Sequence, residues 1–299
     1  MDVEALSRQT VGVGVPAALA GHAACLLRGA YLLTTQLAPD FGDTADTAGR
    51  LRDFRVLDAL GEPGAASSQQ DLGDRLGINR TTMVKLIDRF EAAGQVTRAR
   101  NPDDRRSYVL ALTEDGRAAV EAMGPAVSAA DDRLTAALTA AERDRLDALL
   151  AELLSRPAPA PHRTGSLITQ AHHVVRHGVE AALADSGLQP RHFGALAVVA
   201  DEALSPLSQQ QLARRLAVSE QAVLQVVDDL ELAGRVVRDR DPQDRRRYAL
   251  RITESGRLAL ATARAVVEAA EDELAATLGT GGRAELAALL AALLRTDLP

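Results

Sequence analysis

Apolar residues fall at helical spacing along most of the chain, broken at regular places by capping and turn residues. Met83, Ile87 and Phe90 stand at i, i+4 and i+7, which predicts one buried helix face between Asn79 and Gly94. Val223, Val227 and Leu230 repeat the pattern between Ser219 and Gly234. Asn79 and Ser219 are N-cap residues, and the two glycines are C-terminal stops. A shorter helix precedes each, opened by Ser68 or Ser208 and reaching Leu76 or Leu216, with apolar-rich helical stretches at Leu51 to Leu60 and Phe193 to Ala200 before them. Short alternating runs follow, Val96-Thr97-Arg98 and Tyr108 to Leu112, then Val236-Val237-Arg238 and Tyr248 to Ile252. Each pair flanks an Asx-Pro tip, which predicts a β-hairpin with a longer loop. Long Ala/Leu-rich helices open at Thr113 and Thr253, with breaks expected around Gly124-Pro125 and Gly279, and Thr139-Ala140-Ala141-Glu142 reads as a capping box.

These elements come twice because the chain repeats itself. Ser68 to Arg117 aligns without a gap onto Ser208 to Arg257, and 23 of the 50 positions are identical. Each copy is long enough for a whole domain, so the expected division is 1–158 and 159–299. The joint is Ser155-Arg156-Pro157-Ala158-Pro159-Ala160-Pro161-His162-Arg163-Thr164-Gly165-Ser166, an extended proline-spaced linker with Gly-Ser as a flexible end.

Composition removes several classes. An apolar fraction of 46% and a charged fraction of 25% are those of a globular protein, not a disordered one. A single cysteine excludes an intrachain disulfide and fits a reducing compartment. With four Phe, three Tyr and no Trp, stacking platforms for single-stranded nucleic acid are disfavoured. A net charge of −7 disfavours blanket polyanion binding and leaves room for a local basic surface. The longest apolar stretch, Val11 to Leu27, is broken by Pro16 and His22 and lacks a basic leader, so neither a membrane span nor a signal peptide is expected, and His22-Ala23-Ala24-Cys25 is a poor lipoprotein signal. The expected location is the cytoplasm, with no membrane partner.

Helix, turn, helix and a hairpin with a basic tip describe a winged helix-turn-helix, whose second helix suits the major groove and whose wing reaches the minor groove. Asp104-Arg105-Arg106 followed by Leu112-Thr113-Glu114-Asp115-Gly116 resembles the wing of the multiple-antibiotic-resistance regulator (MarR) family. Asp244-Arg245-Arg246 with Ile252-Thr253-Glu254-Ser255-Gly256 resembles it again, and the likeness covers nearly all of both repeats. The resemblance implies a mainly α fold with small β-hairpin wings: two fused winged helix-turn-helix domains forming an intrachain pseudo-dimer through N- and C-terminal helices. It implies a ligand-responsive, DNA-binding transcriptional regulator, a repressor, acting as a monomeric chain on double-stranded DNA.

For DNA contact the candidates in copy one are Arg80, Thr81, Thr82 and Lys85, with Arg105 and Arg106 on the wing. In copy two they are Gln221 and Gln225, with Arg245 and Arg246. The second recognition helix has lost its basic residues: Glu220 replaces Arg80, Gln225 replaces Lys85 and Asp229 replaces Arg89. Copy one is therefore expected to supply most base readout, with the acids of copy two repelling phosphates. Asp104 and Asp244 could equally pair with Arg106 and Arg246 to stiffen the wings.

The resemblance also implies a small-molecule effector, and differing apolar-walled pockets are expected beneath the two winged motifs. Candidate lining residues are His22, Arg28, Tyr31 and Phe54, and His173, Arg176, His177 and His192. Arg28 and Arg176 align and suit a carboxylate or phenolate, or an internal ion pair. His173 and His177 stand at i, i+4 with Glu180 nearby, yet the set is thin for a metal, and no metal or cofactor is expected. Cys25 reads as an inert thiol, with redox sensing the alternative. No phosphate loop, nucleophile elbow or metalloprotease helix is present, so an enzyme is not expected. A DNA-inactive, ligand-sequestering protein or a recruited enzyme on the same scaffold remain the alternatives.

Overall fold

A computed structural model describes residues 22–41, 46–61, 68–100, 108–155, 163–201, 207–240 and 248–295. Copy one contains α1 (Ala23–Gln36), α2 (Thr47–Gly61), α3 (Gln69–Leu76), α4 (Arg80–Ala92), β1 (Val96–Arg100), β2 (Tyr108–Leu112), α5 (Glu114–Leu134) and α6 (Ala140–Leu153). Copy two contains α7 (Thr164–Leu183), a 3-10 turn (Ala184–Ser186), α8 (Pro190–Val199), α9 (Gln209–Leu216), α10 (Glu220–Leu232), β3 (Val236–Arg240), β4 (Tyr248–Ile252), α11 (Glu254–Leu278) and α12 (Gly282–Leu293). The fold is mainly helical with two antiparallel hairpins, as the pattern predicts. Among the described residues, no helix is long and apolar enough to cross a membrane.

Local chemistry explains the element ends. Ser68 and Ser208 accept from the N–H groups of Asp71 and Gln211, and both complete capping boxes. Asn79 and Ser219 cap α4 and α10 through Thr82 and Ala222. Thr139 and Glu142 form the capping box ahead of α6. The hairpins pair in one register, Val96↔Leu112 to Arg100↔Tyr108 and Val236↔Ile252 to Arg240↔Tyr248.

Two expectations fail. Helix α5 runs unbroken through Pro125, because Met123, Val127, Ala130 and Leu134 bury a continuous face that holds it against the loss of one N–H. Gly279 does end α11, at φ 67°. The expected flexible Gly165-Ser166 is instead the first turn of α7: Thr164 and Gly165 are buried, and Asp131 Oδ1 accepts from the Gly165 N–H at 3.1 Å. Residues 156–162 of the proline-spaced linker, with the boundary at 158/159, lie outside the described residues.

The described residues hold three packed cores. Two belong to the winged units, one around Phe54, Leu72, Ile87 and Phe90, the other around Leu196, Leu212, Val223 and Leu230. The third is shared: Leu33 of α1, Leu149 of α6, Ile168 of α7 and Leu290 of α12 are each 0% exposed and pack in one cluster. The copies therefore join through their first and last helices. Truncating any of these to Ala costs about 2–5 kcal/mol by area and cavity terms together.

A carboxylate from each copy ties the join. Glu271 of α11, only 3% exposed, accepts from the N–H groups of Ala23 and Ala24 at the start of α1, at 3.1 and 2.9 Å. Asp131, its counterpart on α5, serves the start of α7.

Candidate functional site

Helix α4 buries Met83, Leu86, Ile87 and Phe90 and leaves Arg80, Thr81 and Lys85 exposed, with Thr82 half-buried. Its remaining charges are engaged within copy one. Arg89 holds Asp53 of α2 in a two-pronged pair at 2.5 and 2.8 Å, while Asp88 and Glu91 hold Arg98 of β1. The cations offered outward on α4 are thus Arg80 and Lys85.

Helix α10 repeats the scaffold with a carboxylate, Asp229, where α4 has Arg89. Asp229 pairs with Arg191 at 3.3 Å and lies 3.5 Å from His192 Nε2, and Gln225 donates to its second oxygen at 2.9 Å. Those contacts hold the Asp229 carboxyl below its usual range, the Gln225 hydrogen bond most strongly. Asp228 and Glu231 hold Arg238 of β3. This corrects the expectation that the acids of α10 all face phosphates: Asp228 and Asp229 are taken up by internal partners. Glu220 stays exposed and accepts from Gln210 Nε2 at 3.0 Å, and Gln221 is exposed. The wing tips carrying Asp104, Arg105, Arg106, Asp244, Arg245 and Arg246 lie outside the described residues. The described parts of the wings end at Arg100 and Arg240, both exposed.

A cavity of about 590 Å³ lies beneath the winged motif of copy two. Helix α1 of copy one forms one wall through Cys25, Arg28 and Tyr31. Copy two supplies His172, Arg176 and Glu180 from α7, Phe193 and Gly194 from α8, Leu216 at the end of α9, Val223 and Val226 of α10, and Val267 of α11. Arg28 Nη2 donates to the Leu216 carbonyl at 3.1 Å, and burial lowers the guanidinium's pKa. Arg176 pairs with Glu180 at 2.8 Å. Arg28, Arg176 and Arg191 stand among largely apolar walls, Arg176 paired with Glu180 and Arg191 with Asp229. Such a site suits an apolar body carrying an anionic group.

Of the effector candidates read from sequence, the cavity brings together Arg28, Tyr31 and Arg176, and Gln225, read as a DNA contact, lines it too. His22 is half-buried just before α1, and His177 is exposed. His192 is buried beside Asp229 with Nδ1 accepting from the Gln189 N–H at 3.2 Å, and His173 faces Gly77. Phe54 is a core residue, 1% exposed beneath the Arg163 guanidinium, so it lines no comparable cavity. Tyr31 stacks on His172 with centroids 4.5 Å apart, and burial followed by nearby His173, Arg176 and Arg28 pushes the His172 pKa down to about 3. Burial, then the Glu271 carboxylate, pushes the Cys25 thiol up to about 12, so it stays protonated and weakly nucleophilic. Among the described residues, no three His, Cys, Asp or Glu side chains cluster as metal ligands. Sequence reasoning missed Phe193, Val223, Val226 and Val267 as lining. The available signal was Gly194 standing where copy one has Arg55.

A family model described as the MarR family matches residues 50–107 and 186–247. A Thauera aromatica protein assigned as transcriptional regulator of the hcr operon is 38% identical over 37% of this chain and 66% of its own length. The HTH-type transcriptional regulator FarR of Neisseria gonorrhoeae is 30% identical over 43% of this chain and 85% of its length. The solved transcriptional repressor CouR, bound to a 23-mer DNA duplex, is 31% identical over 42% of this chain and 89% of that one, with a TM-score of 0.40. The chain spans about half to two thirds of the length of the first curated relatives it matches.

Proposed function

Because the chain belongs to the MarR family and carries its winged unit twice, we propose that it is a ligand-responsive, DNA-binding regulator of transcription. It acts as a repressor, and one chain does the work of a dimer. The observation that carries this is the shared core: α1, α6, α7 and α12 bind two winged units into one body, which fits two half-sites on one duplex. Copy one supplies most base readout through Arg80 and Lys85, helped by Thr81 and Thr82 and by wing residues Arg105 and Arg106. Copy two adds Gln221, Gln225, Arg245 and Arg246. The effector occupies the 590 Å³ cavity as an anion with an apolar body, held by Arg28 and Arg176.

The test is fluorescence anisotropy of the full chain on the duplex upstream of its own coding region, against a scrambled duplex, at two salt concentrations. A single chain of 31.6 kDa should bind the upstream duplex well above the scrambled one, and mass measurement in solution should return that monomer. Failure to bind any duplex above the non-specific level overturns the regulator and leaves ligand sequestration, which the cavity alone would support.

A further inference from the structure

The two winged units are seated differently on the shared core. Beneath copy two lies the 590 Å³ cavity, spanned by Arg28 reaching the Leu216 carbonyl. Among the described residues of copy one, the counterparts of the cavity's walls line two separate spaces. One is a void of about 30 Å³ whose lining includes Leu51, Phe54, Arg55 and Val127, which match Pro190, Phe193, Gly194 and Val267 of the large cavity. The other is a polar groove of about 310 Å³ around Asp53, Lys85 and Arg89.

Substitutions between the copies account for the closure. Arg55 places a guanidinium where copy two has Gly194, which has only hydrogen to offer. His173 stands where, in the register that aligns Arg176 with Arg28, copy one has Cys25. Its ring lies so close to Gly77 that a Cβ there would sit 2.4 Å away, a distance real side chains do not reach. Gly77 ends α3 in the left-handed region at φ 65°. The matching residue at the end of α9 is Ala217, which adopts φ 48° although it carries a Cβ. A ring cannot close on Ala217 as it does on Gly77, and Cys25 has no ring to close with.

We propose that the chain is a one-sided switch. It takes a single amphipathic anion, in the cavity beneath copy two, and that ligand moves the copy-two winged unit alone, while the His173–Gly77 contact holds copy one in place. The inference rests on the cavity being the effector site proposed above and adds which half responds. The coupling runs through Arg28. A guanidinium is drawn to an anionic oxygen more strongly than to a neutral carbonyl, because full opposite charges attract at close range in a poorly solvated cavity. An anion in the cavity therefore draws Arg28 off Leu216 and removes the strut between α1 and the end of α9. The ligand-bound state is favoured by that difference in contacts, which copy one does not possess.

The experiment uses the full chain without DNA, with 8-anilinonaphthalene-1-sulfonate as an apolar anionic probe and calorimetry for stoichiometry. The wild type should bind one probe per chain. His173→Ala should add a second site, and the double variant Cys25→His/Ala217→Gly should weaken the original site at least about tenfold by closing it as copy one is closed. Hydrogen exchange should quicken on probe binding across α9 and α10 and stay unchanged across α3 and α4, and Arg28→Met should abolish that response. Two equivalent wild-type sites, equal exchange changes in both halves, or unchanged affinity in the double variant each overturn the proposal, as does absence of any probe binding. Circular dichroism checks that each variant is folded, and should the double variant not fold, the wild-type stoichiometry and His173→Ala decide. DNA affinity enters none of these readings, so a failure here is distinct from a failure of the chain to bind its duplex.

Discussion

Asp131 and Glu271 occupy the same position in the two repeats and cap each other's first helix, yet they should respond oppositely to losing their charge. Glu271 is one methylene longer, and its two oxygens reach Ala23, Ala24 and Arg283, the last at 3.1 Å. Removing it strands two helix-terminal N–H groups, at about 1–3 kcal/mol for each one left buried. Ala24 is part-buried and Arg283 is 42% exposed, so water recovers some of the loss. Glu271→Ala should therefore cost about 2–4 kcal/mol, and Glu271→Gln, which keeps one acceptor, about half of that. Asp131 reaches the Gly165 N–H through Oδ1, but its Oδ2 is buried without a hydrogen-bond partner. Burial, opposed by that N–H and reinforced by Asp147, raises its pKa to about 6.

A carboxyl whose folded pKa lies above its unfolded one is protonated more readily in the folded state. Its ionisation therefore erodes stability as pH rises from about 4 to about 6, by up to about 3 kcal/mol. Asp131→Asn keeps an oxygen for Gly165 and removes the buried charge. It should stabilise the chain by about 1 kcal/mol at pH 7 and lose that advantage by pH 4. Urea denaturation of the wild type and both variants at pH 4, 5, 6 and 7 measures this, with the difference from wild type cancelling the other carboxylates. If Asp131→Asn costs as much as Glu271→Gln at pH 7, or its difference from wild type does not change with pH, the account of the two caps is wrong.

Arg80→Ala or Lys85→Ala should each cost about 1–3 kcal/mol on the specific duplex and relax its sequence preference, read by anisotropy on cognate and scrambled DNA. Glu220→Arg should raise affinity for any duplex and steepen the salt dependence, since it replaces a repelled charge with a phosphate partner. Gly116→Ala and Gly256→Ala should both destabilise the chain markedly in thermal melts, because an added Cβ would lie 2.2 Å from the Gln95 carbonyl oxygen and 2.0 Å from that of Arg235. Cys25 should react with a maleimide far more slowly at pH 8 than a free thiol, and a bound anionic probe should slow it further.

What sequence made legible was whatever a single stretch of chain decides for itself. Ser68, Asn79 and Thr139 cap helices because their own side chains reach N–H groups three residues on, and Met83, Ile87 and Phe90 share a face because the helix repeats every 3.6 residues. Pro125 misled because its local cost is real but smaller than the burial of the face around it. The site was harder to see because it is made by pairs distant in sequence. Asp229 looks like a lost DNA contact until Arg191 and His192 are found beside it, 38 and 37 positions earlier. Comparing the copies would have exposed this: Asp53 with Arg89 in one has become His192 with Asp229 in the other, so the carboxylate has moved to the opposite end of the same contact. A contact kept inside the winged unit explains that double change, and a DNA contact does not, because phosphate charge cannot reverse along with the protein. The same comparison marks the cavity, where Arg55, His173 and Gly77 in the closed half stand opposite Gly194, Cys25 and Ala217 in the open one. Changes that compensate each other are the mark of packing kept intact, whereas these three act together to empty a space in one half and fill it in the other. A duplicated chain can do this and a symmetric dimer cannot, since in the dimer every substitution appears on both sides at once.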